Sequence, residues 1–352
     1  MNAEMIELIG QLIQAAGPSG YEDAVADIIR SHISLCGNVS TDGIGNIICE
    51  IPGKNPNGPR RLFVAHTDEI GFMVSDILEN GFLRFTPVGG WNARTLPSSS
   101  VDVINTLGEA VPGVIGQIPP HFLSKNSSQV PEIEELFIDI GAKDRTQVVE
   151  LFNIRIGSII VPFGRFHHDQ RCQTLSGKAF DDRIGVAALI ELGKKVKESP
   201  CDATVVLAFT VQEEVGTRGA QVLANYIEAD VAIIVEGAPA DDVPGGPVNP
   251  QTCMGNGAHV RIFDPTHIGN PKLLQTIRNL TGEHHIAIQE AVRKGGGTDA
   301  MVLALANKGI PSVVTGVPVR YAHSHTGMIA LSDYVNLVEL LYAICRDSSW
   351  NV

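Results

Sequence analysis

The chain of 352 residues carries 39 acidic against 26 basic residues, a formal net charge of −13 that repels phosphate and makes nucleic acid an unexpected partner. With 44% hydrophobic and 18% charged residues it reads as a globular chain of about two domains, not as a disordered or fibrous one. No apolar run reaches the roughly 20 residues that span a bilayer, the N-terminus lacks a signal-peptide pattern, and six dispersed cysteines without a C-x-x-C pair read as reduced thiols of a cytoplasmic protein.

The first expected element is a helix with Met5, Leu8, Ile9, Leu12 and Ile13 on one face, stopped by Gly17-Pro18. Ser19 is placed to cap a second helix, with Glu22 in the reciprocal position and Ala24, Val25, Ile28 and Ile29 turned inward. Strands are expected at 46–51 and 61–65, the second apolar enough to be buried on both faces. From Gly71 to about Phe166 the pattern changes to short β runs, at 71–77, 82–87, 101–105, 114–117, 136–140 and 158–162. Gly, Pro and Asn punctuate them, as in a small barrel or sandwich.

From Asp181 helix and strand alternate: helix 181–197, strand 204–210, helix 220–227, strands 231–235 and 259–263, helices 271–281 and 298–306, strand 312–315 and helix 332–345. This predicts an α/β fold with a mostly parallel sheet, split in sequence into 1–70 and 166–352, with a β-barrel-like domain inserted over 71–165.

Ligands of open α/β sheets gather at the carboxyl ends of strands. His66 and Asp68 end the run R-L-F-V-A, Glu213 and Glu214 follow T-V-V-L-A-F-T-V, and Glu236 ends V-A-I-I-V. His323 and His325 follow the strand S-V-V-T, and Asp181-Asp182 open a helix beside the same rim. Each piece alone has an ordinary explanation: a surface His-Asp pair, a helix cap, a solvated acidic corner. Together they pack negative charge on one rim, which is costly unless a cation compensates it. The adjacent pairs His167-His168 and His284-His285 read as surface features. Lys294-Gly295-Gly296-Gly297 lacks the order of a phosphate loop and reads as a turn opening a helix, where a substrate backbone could also approach.

The motifs A-H-T-D-E-I-G at 65–71, G-K-A-F-D-D-R at 177–183, Q-E-E-V-G-T-R-G at 212–219, G-G-T-D-A at 296–300 and R-Y-A-H-S at 320–324 resemble the signatures of the M42 metallo-aminopeptidases, some of which are labelled endoglucanases. G-P-S-G-Y-E at 17–22 extends the resemblance over nearly the whole chain. It implies a di-metal peptidase domain, a β insertion that makes dimers, and assembly of those dimers into hollow twelve-subunit tetrahedra. It also implies that His66 and Glu236 hold one ion, Glu214 and His323 the other, with Asp181 bridging and Glu213 as general base.

Imidazole and carboxylate suit Zn²⁺ and Co²⁺, and also Mn²⁺, and two ions about 3.5–4 Å apart need a shared carboxylate. Asp68 would accept the other ring N–H of His66. The chain departs from the family pattern at Glu236, where Asp is usual, and at Gly327, where H-S-x-x-E ends in Glu. The expected activity is metal-dependent release of N-terminal residues from short peptides, with hydrolysis of N-acylated amino acids by the same centre as the alternative. A glycosidase is disfavoured, since its two carboxylates act without metal.

Overall fold

Leu62 and Val64 point to one side of their strand, Phe63 and Ala65 to the other, and all four are buried. Such a segment belongs in the middle of a sheet covered on both faces. The computed structural model of the protein, which describes residues 3–122 and 130–347, places it there.

Helices α1 (Ala3–Gln14) and α2 (Asp23–Ile33) precede strands β1 (Asn38–Thr41), β2 (Ile47–Ile51) and β3 (Arg60–His66). Six strands follow: β4 (Gly71–Ile77), β5 (Leu83–Val88), β6 (Ser100–Ile104), β7 (Ala110–Gly116), β8 (Phe137–Asp139) and β9 (Ile159–Pro162). Strands β10 (His167–Asp169) and β11 (Thr174–Gly177) lead into α3 (Phe180–Glu198), β12 (Thr204–Thr210), α4 (Arg218–Leu223) and β13 (Val231–Pro239). The described chain closes with β14 (Ala258–Asp264), β15 (His267–Ile268), α5 (Pro271–His284), β16 (Ile288–Val292), α6 (Ala300–Leu303), β17 (Ser312–Val319), β18 (Gly327–Ala330) and α7 (Leu331–Arg346).

The large sheet runs β1-β2-β12-β3-β13-β17-β14-β15, with β16 beside β14. Its middle strands β12, β3, β13 and β17 are parallel, as expected, whereas β2 and β14 join them antiparallel, so the whole sheet is mixed. One face packs against α1, α2, α3, α5 and α7 through Leu12, Ile29, Phe63, Leu189, Phe209 and Leu337. The other packs against α4 and α6 through Leu62, Val64, Val206, Leu223 and Leu303. Truncating Phe63 to Ala in this core would cost about 3–5 kcal/mol.

Strands β4 to β9 close into a barrel in the order β4-β5-β8-β7-β6-β9. Phe72, Val74, Leu83, Val101, Ile138 and Ile160 fill it, and closure leaves no unpaired strand edge. Strands β10, β11 and β18 form a third, small sheet that no sequence pattern announced. Within it His167 is exposed while His168 is half-buried, so only the first is a plain surface residue.

Ser19 does not cap α2. Its hydroxyl donates instead to Asp68 Oδ2 at 2.6 Å, and α2 begins after Glu22, whose side chain accepts from Gly20 and Gln212. Helix α6 is shorter than its periodicity suggests; Thr298 Oγ1 accepts the Ala300 N–H and marks its start. Strand β13 runs on through Glu236 to Pro239, because β17 stays in register beside it as far as Val319.

Candidate metal centre

The carboxyl ends of the parallel strands converge as expected. His66 ends β3, is 2% exposed, and places Nε2 3.3 Å from Asp181 Oδ1 and 3.8 Å from Glu236 Oε2. The second oxygen of Asp181 lies 3.4 Å from His323 Nε2, and Glu214 Oε1 lies 3.3 Å from the same nitrogen. Asp181 therefore stands between the two histidines, one oxygen toward each.

Two groups of donors result, His66 with Asp182 and Glu236, and Asp181 with Glu214 and His323, each with its donor atoms within 4.8 Å of one another. The structure thus brings together all five residues expected as ligands and adds Asp182, whose Oδ1 accepts the Gly185 N–H at 3.1 Å.

Local backbone makes this possible. Asp181 and Asp182 have φ/ψ of −85/107 and −118/33, both outside the helical region, so this stretch departs from the helix before the regular turns of α3 begin. Glu236 lies within β13, not at its end. Its neighbour Gly237 lets the Asp181 segment pack close, since a Cβ there would stand 2.6 Å from Asp181 Cα. At Gly327 a Cβ would stand 3.1 Å from Val319 Cγ1 and 3.3 Å from Phe180 Cδ2, so a larger side chain there would have to displace one of them.

Asp68 is fully buried, with Oδ1 3.4 Å from His66 Nδ1. Its shorter contacts go elsewhere: it accepts the backbone N–H groups of Glu213 at 2.9 Å and Glu214 at 3.1 Å. Next to it Glu69 pairs with buried Lys178 and accepts the Gly17 N–H. Arg183 donates to the carbonyls of Leu12 and Gly17. Lys178 and Arg183 are thus spent on tying α1 to the two segments that carry His66 and Asp181, and neither lines the cleft beside the centre.

Electrostatics follow from burial. Burial opposes charge on both histidines, yet the neighbouring carboxylates outweigh it: Asp181 and Asp68 raise His66, and Asp181 and Glu214 push His323 up to about 11. Burial raises Glu213 and Glu236, with nearby carboxylates adding to it. Asp181, despite burial, is held well below the usual range by His323 and His66. Burial also lifts Asp299, which accepts from Thr210 Oγ1 at 2.5 Å, to about 6.

Asp182 Oδ2, buried within the first group, makes no hydrogen bond among the described residues, and His66 keeps Nε2 toward the carboxylates while Nδ1 faces Asp68. Crowded carboxylates facing two imidazoles, with that oxygen left over, form a donor set that fits divalent cations.

The centre opens into a cleft of about 480 Å³, lined also by Arg261, Arg293, Gly295, Gly296, Gly297 and Met301. Arg261 pairs with Asp264 at 3.2 Å and Arg293 with Asp241 at 2.8 Å. The sequence motifs did not single out either arginine; the signal for Arg261 was a charged residue in the largely apolar strand A-H-V-R-I-F. His325 does not join the centre and packs instead 5.2 Å from the Trp91 ring.

Comparison with known proteins gives a consistent picture. The family model described as M42 glutamyl aminopeptidase matches residues 45–340. The glutamyl aminopeptidase of Lactococcus lactis subsp. cremoris (strain MG1363) is 31% identical over 344 residues, covering 97% of this chain and 96% of the relative. The solved TET aminopeptidase from the marine sediment archaeon Thaumarchaeota archaeon SCGC AB-539-E09 superposes with a TM-score of 0.94 at 36% identity, covering 99% of this chain and 98% of its own. The Pyrococcus horikoshii TET1 peptidase, described as able to assemble into a tetrahedron or a large octahedral shell, gives 0.86 at 33% identity over 97% of this chain and 99% of its own.

Proposed function

The chain belongs to the M42 glutamyl aminopeptidase family, and from that premise we propose that it is a two-metal aminopeptidase releasing N-terminal residues from short peptides. The observation that carries this reading is Asp181, with one oxygen toward His66 and the other toward His323. In this reading His66 and Glu236 hold one divalent ion and Glu214 and His323 the second, with Asp181 shared. Zn²⁺ or Co²⁺ suits these donors best, with Mn²⁺ third. Bound there, the ions supply Lewis acidity to the scissile carbonyl and a more acidic water.

The chain's own residues do the rest. Glu213 lines the cleft beside the donors; its carboxylate takes the proton from the attacking water and returns it to the leaving amine. Asp68 holds the Glu213–Glu214 backbone from below. Of the cleft carboxylates, Glu213 is not assigned to an ion, and it attracts a free α-ammonium and repels a terminal carboxylate, which favours reading from the N-terminus. The likeness to a protein named glutamyl aminopeptidase supports an acidic first side chain; Arg261 and Arg293 line the same cleft, although each already pairs with an aspartate.

The barrel is read as the dimerisation unit within an insertion spanning 71–165. Val114, on β7, and Phe163, just beyond β9, flank Ser100 and are 45% and 54% exposed. Ile118, on the same stretch, is 57% exposed. Burying this apolar face between copies, within a twelve-subunit tetrahedron, accounts for its exposure. Val114→Asp and Phe163→Asp are expected to lower the sedimentation coefficient of the assembly. Among the described residues no helix is long and apolar enough to cross a membrane, and the six free thiols support a reducing, cytoplasmic setting.

A side-by-side assay of glutamyl-, leucyl- and lysyl-p-nitroanilide, an acetylated amino acid and a soluble glucan, with and without chelator, tests the reading. Chelator-sensitive turnover of the anilides, glutamyl foremost, is expected. Preferred turnover of the acetylated amino acid would promote the deacylase alternative.

A further inference from the structure

The barrel touches the centre through Gly89 and Gly90, which follow β5 and precede Trp91. The Gly90 carbonyl oxygen lies 2.8 Å from His323 Nδ1, while the other ring nitrogen faces Asp181 and Glu214. Gly89 has φ +82°, and a Cβ there would stand 2.6 Å from Ile70 Cγ2 and 3.3 Å from Glu214 Cβ. A Cβ on Gly90 would stand 3.2 Å from His323 Nδ1. The glycine pair therefore lets bare backbone press on both Glu214 and His323. Trp91 anchors this backbone in the barrel: its indole N–H donates to the Gly71 carbonyl at 2.9 Å, and its ring stacks on Phe72 at 4.5 Å.

We propose that Gly90 is a positioning residue, whose carbonyl, held by Trp91, fixes the His323 ring so that the barrel sets the cation affinity of the Glu214–His323 group and not that of the His66–Glu236 group. A carbonyl only accepts, so the neutral ring facing it carries its hydrogen on Nδ1 and presents the Nε2 lone pair to a cation. The His66 group is oriented from another side, by Asp68 and the end of β3. The inference rests on reading His323 as a ligand.

The test titrates metal-free, full-length protein with Co²⁺, following visible absorption and chelator competition, together with the melting temperature of the metal-free state. Wild type should take two equivalents. Gly90→Ala, which pushes the ring, and Trp91→Ala, which frees the backbone, should bind the first equivalent as wild type does. Both should bind the second about 10–100-fold more weakly, the usual effect of losing a ligand's orienting partner. Trp91→Phe keeps the ring stack and should restore most of that affinity.

His323→Ala serves as the control and should lose the second equivalent. If it does while Gly90→Ala and Trp91→Ala bind both equivalents as tightly as wild type, the positioning role is overturned and the ligand reading stands. Equal weakening of both equivalents would also overturn it, by showing a general structural effect. Two tight equivalents in His323→Ala would instead remove the ligand reading itself.

Discussion

Asp68 accepts the backbone N–H of Glu213 at 2.9 Å, so a residue just beyond the end of one strand holds the proposed base beyond the next. Its other oxygen takes the Glu214 N–H at 3.1 Å and the Ser19 hydroxyl at 2.6 Å. All of its polar contacts therefore require an acceptor. Asp68→Asn would turn an NH₂ group toward one of these donors, at a cost of about 1–3 kcal/mol. The expected outcome is a 10–100-fold loss of metal affinity with a lowered melting temperature, both measured on purified protein.

Asp181→Asn should lose both ions together, since its two oxygens face His66 and His323 separately and the substitution removes the charge as well as one acceptor. Elemental analysis after dialysis checks this; two retained ions per subunit would exclude a bridging role.

Glu213→Gln should behave in the opposite way. Metal content and melting temperature should stay near wild type, while kcat falls by about 10²–10⁴-fold, the usual contribution of a base. A parallel loss of metal would mean that Glu213 and Glu214 exchange roles.

Much of this centre was legible because its side chains follow strand ends. Phe63 and Ala65 had to be buried, so His66 had to emerge at a sheet edge, and the same held for Glu213 and Glu214 after β12. The barrel strands showed themselves through short apolar runs between turn residues. Contacts that depend on distant segments meeting were not legible. Ser19 looked like a cap because its local sequence suits one, but Asp68, which it meets only in the folded chain, takes its hydroxyl. Asp182 read as half of a helix-capping pair because nothing local shows that the backbone departs from the helix there. Nothing in the sequence singled out Gly89 and Gly90, and their closeness to Glu214 and His323 arises only from the barrel docking on the sheet.

Metal binding should tighten as pH rises. In the metal-free protein His323 is raised from its ordinary 6.5 to about 11, with Asp181 and Glu214 outweighing burial, so at neutral pH an entering cation must displace its proton. Affinity should gain about tenfold per pH unit for each proton displaced, and an indicator dye in weak buffer should record proton release. The same raised value stabilises the metal-free fold fully below about 6.5, and that contribution is lost as pH rises toward 11. The melting temperatures of loaded and metal-free protein should therefore diverge between about pH 7 and 9. Identical metal affinity across this range would contradict the assignment of His323.

The most direct measurement is digestion of one decapeptide with an acidic first residue, in free and N-acetylated forms, followed by mass spectrometry with and without chelator. The proposed activity predicts stepwise loss of residues from the N-terminus of the free peptide, stopped by chelator, and little cleavage of the acetylated one. Equal cleavage of both forms, or loss from the C-terminal end, would contradict it.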